Sequence, residues 1–193
     1  MTKWFDTNYH YIVPEFSDQT NFKLSSDKIF REFSEALELG IQTRPVIVGP
    51  ITYLLLGKAR DEGFDKLALL PDLLNVYKEI FQKLKDLGAK SVQIDEPFLA
   101  LDLSAKEQEA YVGVYNDFAE ASELDIFLTT YFGALRDNQD LVYSLPFAGL
   151  HLDLVREKIN LDSALANFPA GRKLSLGIVD GRNIWKSNYA ELL

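Results

Sequence analysis

The 193-residue sequence contains no cysteine, one methionine and two histidines. Without cysteine there is no disulfide scaffold, no CxxC redox pair and no thiolate-ligated zinc or iron–sulfur site. His10 and His151 lack metal-ligand spacing, so zinc held within this chain is not expected. Basic residues are scarce as well. Twenty Lys and Arg stand against 29 Asp and Glu, for a formal net charge of -9. No basic stripe exists to neutralise phosphates, which argues against a nucleic-acid binder. No apolar run is long enough to cross a bilayer. Residues Met1 to His10 are aromatic and polar, unlike a signal peptide. There is no P-loop, no HExxH, no Ser/His/Asp order and no GxGxxG loop. Low-complexity stretches and Pro/Gly/Ser linkers are absent too. The expectation is one soluble, cytoplasmic domain over residues 1–193.

What is present is a repeated alternation. The short apolar runs Pro45–Val48, Ser91–Ile94, Ile126–Thr129, Gly149–Leu152 and Leu174–Val179 read as buried parallel strands. Residues 4 to 11 add an aromatic strand candidate. Helical periodicity fills the gaps. Ile29, Phe33, Ala36 and Leu37 precede Gly40, a candidate for the position just past a helix end. A longer stripe from Leu70 to Leu87 stops at Gly88, with Pro71 in its first turn. Ser104 and Glu107 form a capping box for a third helix. Shorter helices are expected near 137–145 and 161–168, and an unfinished one from Ile184 to Leu193. Alternation of this kind is α/β with a parallel sheet. Lack of a GxGxxG loop weakens the dinucleotide-binding form. A (β/α)8 barrel needs eight strands and about 250 residues. The roughly six candidates here leave either an unusual open sheet or part of a barrel.

In both architectures function gathers beyond the carboxyl ends of the strands. Candidate pocket residues there are Asp95, Glu96, His151, Asp153 and Arg182. Asp95 and Glu96 are adjacent, so only one faces the barrel axis. The bland alternative is a strand-end Asp capping the next helix. His151 and Asp153 share a face, as a histidine oriented by a carboxylate would, or as a satisfied buried network. Asp180-Gly181-Arg182-Asn183 fits an anion site, or equally a turn with an N-capping Asn. On a regular first strand, Trp4, Asp6, Asn8 and His10 share one face, with Phe5, Thr7, Tyr9 and Tyr11 on the other. A polar face with aromatic backing suits a flat hydrogen-bonding ligand such as a pterin or nucleobase.

Several strings are more specific. They are Met1 to Tyr11 followed by Val13-Pro14-Glu15, Val48 to Thr52, Val92 to Pro97, Thr129 to Phe132, Gly149 to Val155, and Gly181 to Trp185. In this order, from end to end, the chain resembles cobalamin-independent methionine synthase. The resemblance implies transfer of a methyl group from 5-methyltetrahydropteroyltri-L-glutamate to L-homocysteine. It implies two face-to-face (β/α)8 barrels, of which this chain resembles strands 3 to 8 of the amino-terminal one. On this reading the chain is an incomplete (β/α)8 TIM barrel, its first two strands and the carboxyl-terminal barrel missing. The family's zinc, held by His, Cys and Glu and activating homocysteine, belongs to that absent carboxyl-terminal barrel. No cobalamin is involved. What carries over is folate binding, at Lys3 and Asn8. These differ in parity on a regular strand, so they share a ligand only if the segment bends. The fragment is expected to be inactive alone and to self-associate through open barrel edges. Two other readings stay open: a non-catalytic binding or interaction module, and a stand-alone hydrolase or decarboxylase using Asp95 and Asp153.

Overall fold

The computed structural model describes residues 1–157 and 161–192. The chain opens with β1 (Thr2–Lys3) and β2 (His10–Tyr11), which pair antiparallel. β3 (Glu15–Phe16) and α1 (Lys28–Glu38) follow, then β4 (Val46–Val48), α2 (Pro50–Leu56) and β5 (Lys58–Ala59), with β5 parallel to β3. α3 (Leu70–Asp86), β6 (Ser91–Asp95), α4 (Ala105–Ala121) and β7 (Asp125–Thr129) continue the alternation. α5 (Gln139–Ser144), β8 (Gly149–Asp153), α6 (Leu161–Ala166), β9 (Lys173–Gly177) and α7 (Tyr189–Leu192) complete it.

Five strands form one parallel sheet in the order β4-β6-β7-β8-β9. Chain order and spatial order agree, with no switch point. With crossovers of one hand, such a sheet is wound in a single direction, which is not the doubly wound arrangement. Register puts Ile47, Ile94, Leu128, Leu150 and Leu174 in one row. That face is the core. Ile94, Leu128 and Leu150 are buried with Tyr77 and Phe81 of α3 and Tyr111, Tyr115 and Phe118 of α4. Phe81 and Phe118 meet edge to face at 4.9 Å. The next row has opposite parity and faces the other way: Val48, Asp95, Thr129, His151 and Ser175. Val46 on that side is 51% exposed.

The helix signals correspond to local physics. The Ser104 side chain accepts from the Glu107 N–H, while Glu107 bonds back to the Ser104 N–H at 2.7 Å. Gly40 and Gly88 have φ of 76° and 91°, as residues just past helix ends require. Other expectations need correction. Residues 4 to 11 are not one strand. The Trp4 N–H donates to the Tyr9 carbonyl at 2.7 Å, the Thr7 hydroxyl to the Trp4 carbonyl at 2.6 Å, and Phe5 has φ of 51°. This turn folds the segment into a hairpin outside the main sheet and cancels the expected alternation of faces. The sheet therefore has five strands. Its last strand stops at Gly177, and α6 stops at Ala166. Of Ile184 to Leu193, the described helix covers Tyr189–Leu192, and Leu193 lies outside the described residues. The expected helix near 137–145 is a 3-10 turn over Arg136–Asn138 running into α5.

Candidate ligand pocket at the strand carboxyl ends

A cavity of about 320 Å³ opens beyond the carboxyl ends of β7, β8 and β9. The hairpin contributes Trp4, Thr7 and Tyr9 to its lining, mixing residues of both expected faces. Tyr131 and Phe132 come from the segment after β7, His151 and Asp153 from β8, and Gly177 from β9. Arg156 and Arg182 also line it.

The hairpin is held in place by aromatic packing, an ion pair and the Tyr11 hydroxyl, which donates to the Leu56 carbonyl at 3.0 Å. The Phe5 ring packs 5.2 Å from Phe132 and 6.2 Å from Phe98. The Asp6 carboxylate forms a two-pronged ion pair with Arg156, one prong being Nη2 to Oδ1 at 2.7 Å. Phe132 itself has φ of 75°, an unusual value for a bulky residue. Its N–H points at Asp153 Oδ2, 2.9 Å away. The Val155 and Arg156 N–H groups bond the other oxygen at 2.9 and 3.0 Å. Asp153 is thus a carboxylate that ties two loops together.

His151 is not oriented by Asp153. Its Nδ1 lies 2.9 Å from Ser175 Oγ, its neighbour in the sheet row. Burial pushes the imidazole pKa down, against the pull of Asp153 and Asp95. Gly177 makes room for the imidazole, since a Cβ there would lie 2.8 Å from His151 Nε2.

Asp95 does not line the cavity but is joined to it through Tyr131, whose hydroxyl donates to Oδ2 at 3.3 Å. Gln93 Nε2 donates to the other oxygen at 2.8 Å. Burial pushes the Asp95 pKa up, and these two donors oppose the rise. Burial, and then Asp95, raise the Tyr131 hydroxyl.

Glu96 points the opposite way, into the core. It accepts from the Ile51 and Thr52 N–H groups at 3.4 and 2.8 Å and from the Tyr111 hydroxyl at 3.2 Å. The expected helix-capping carboxylate is therefore Glu96, not Asp95, and it caps α2 of the preceding unit. Its burial raises its pKa to about 7.

Arg182 sits at the mouth, with its guanidinium 3.6 Å from Asp180 and its N–H bonded to the same carboxylate at 3.0 Å. The Asn183 side chain accepts from the Trp185 N–H at 3.0 Å. No helix starts there, so Asn183 closes a turn and is not an N-cap. Lys3 and Asn8 are exposed on the hairpin, outside the cavity lining. The turn between them removes the parity objection to a shared ligand. Tyr131, Ser175, Asp6 and Arg156 emerge only in three dimensions; Asp6 and Arg156 lie 150 residues apart, and no local signal pairs them.

Among the described residues, no three His, Cys, Asp or Glu side chains are placed to hold a metal ion. No helix among the described residues is long and apolar enough to cross a membrane.

The structure defines a singly wound α/β unit with a ligand-sized cavity at its strand ends. Its fold is similar to that of the putative vitamin-B12 independent methionine synthase from Listeria monocytogenes, with a TM-score of 0.71 at 17% identity. That match covers 92% of this chain and 59% of the other. A B12-independent methionine synthase from Shewanella sp. W3-18-1, solved with selenomethionine, superposes with a TM-score of 0.70 at 15% identity, over 93% of this chain and 57% of that one. The family profile described as cobalamin-independent synthase, N-terminal domain, matches residues 1–193, and the chain belongs to that family. Among curated relatives, the 5-methyltetrahydropteroyltriglutamate–homocysteine methyltransferases of Rhodopseudomonas palustris (strain ATCC BAA-98 / CGA009) and Salinibacter ruber are 55% and 50% identical to it. Each alignment takes in 100% of this chain and 25% of the relative. The chain thus spans about a quarter of the length of these relatives.

Proposed function

We propose that this chain is the folate-binding part of a methyltransferase that moves the methyl group of 5-methyltetrahydropteroyltri-L-glutamate to L-homocysteine, making methionine. The observation that carries the reading is the hairpin-roofed cavity. Trp4, Tyr131 and Phe132 give it aromatic walls suited to a pterin ring, and the hairpin carries Lys3 and Asn8, exposed beside the cavity. Lys3 supplies a point charge for a glutamate carboxylate, and Asn8 an amide that donates to the pterin or its tail. The names of the relatives support the substrate.

Homocysteine activation and its zinc are assigned to the family's carboxyl-terminal barrel, outside these 193 residues. A free thiol with a pKa near 8.5 is mostly protonated at neutral pH, so metal activation is a separate requirement. The chain alone is therefore inactive and acts in the cytoplasm together with that barrel. The polar sheet face and the free edges of β4 and β9 fit an incomplete (β/α)8 barrel that other strands close. Left open, those edges pair with another copy. A hydrolase or decarboxylase using Asp95 and Asp153 finds less support, because Asp153 is committed to three backbone N–H groups.

The test is an incubation of the chain with zinc, homocysteine and 5-methyltetrahydropteroyltriglutamate, read by methionine formation and by ligand binding. Binding without methionine is expected. Turnover overturns the claim of inactivity, and absence of binding overturns the folate reading.

A further inference from the structure

Two guanidinium groups line the pocket mouth, and the folate contacts proposed above use neither. Arg156 is the more firmly built. Its side chain is 21% exposed, its guanidinium carbon lies 5.6 Å from the Phe132 ring centre, and its backbone N–H is anchored on Asp153. Both terminal nitrogens engage a carboxylate, that of Asp6. A planar fork facing two oxygens is the geometry in which guanidinium selects carboxylates. Yet this carboxylate arrives on a hairpin whose strands are two residues each, and Asp6 remains 58% exposed. An ion pair with one side open to water adds little to stability.

We infer that Arg156 is a carboxylate-recognition residue of this pocket, and that Asp6 holds its place until a ligand carboxylate displaces it. The inference rests on the folate reading for the source of that carboxylate, the glutamate tail. Displacement also releases one of the contacts that hold the hairpin over the cavity, so Trp4 on that hairpin reports it.

The experiment titrates the whole chain with tri-γ-glutamate, which carries the carboxylates without the pterin. Trp185→Phe leaves Trp4 as the only tryptophan reporter. Asp6→Asn is expected to tighten binding about three- to sixfold, because an internal competitor is removed. This sign is opposite to that of a merely structural loss. Asp180→Asn removes an equal charge from the same pocket without touching Arg156, and tightens binding less. Arg156→Lys keeps the charge but loses the fork, and weakens binding about tenfold. In the Arg156→Lys background, Asp6→Asn has no further effect. Unchanged or weaker binding in Asp6→Asn, tightening no greater than in Asp180→Asn, or no tri-γ-glutamate binding at all overturns the inference. If 5-methyltetrahydropteroyltriglutamate binds wild type and Arg156→Lys equally, the folate reading stands and this inference falls. If tri-γ-glutamate binds through Arg156 as tightly as the pterin-bearing ligand, the inference stands and the folate reading falls.

Discussion

Replacing Glu96 with Gln isolates one buried carboxyl group. Glu96 is fully buried and surrounded by Tyr77, Tyr111 and Tyr115, with Asp95 next to it in sequence. Burial lifts its pKa from the usual 4.5 to about 7, although the Thr52 and Ile51 amides and the Tyr111 hydroxyl favour the ionised form. Between those pH values the folded chain holds a proton there that the unfolded chain has released. The stabilisation is therefore complete below the unfolded value and is lost as pH rises through the folded one. The displacement corresponds to about 3 kcal/mol, with a steepest slope of about 1.4 kcal/mol per pH unit. Glu96→Gln keeps an acceptor oxygen for α2 and removes the titration. Urea unfolding of both proteins at a series of pH values from 4.5 to 8 measures it. Taking the difference between the two proteins cancels the other carboxylates. The wild type should lose about 3 kcal/mol relative to the variant across that range. A difference that stays constant with pH refutes the assignment of a raised pKa to this group.

Three further outcomes follow from the packing. A Cβ at Gly49 would lie 2.0 Å from the Glu96 carboxyl carbon, so Gly49→Ala should cost about 1–3 kcal/mol by denaturant unfolding. Ser104→Ala removes half of the capping box of α4 and should cost about 1 kcal/mol in the same assay. The edges of β4 and β9, unpaired among the described residues, should drive concentration-dependent association in sedimentation velocity; a compact monomer at high concentration counts against open edges.

The main sheet and the long helices were legible because their signals are local. β-branched runs bounded by turn residues, the Leu70 to Leu87 stripe and the Ser104–Glu107 pair each act within a few residues. Helix α2 is not legible in the sequence because its N-cap residue, Gly49, has no side chain to cap it. Its amides are satisfied by Glu96, more than 40 residues away. The hairpin was hidden because its turn uses Phe5 at positive φ, where sequence leads one to look for glycine. At the site, the strand-end positions of His151, Asp153 and Arg182 were readable. The partners of His151 and Asp153 across the sheet were not, since Ser175 and the Phe132 amide are set by sheet register and loop path.

Binding of 5-methyltetrahydropteroyltriglutamate to the isolated chain tests the central claim most directly. Isothermal titration of wild type and Lys3→Ala should show saturable binding that the substitution weakens several-fold, with both proteins folded by circular dichroism. Failure of the wild type to bind, or equal binding by both proteins, contradicts the account.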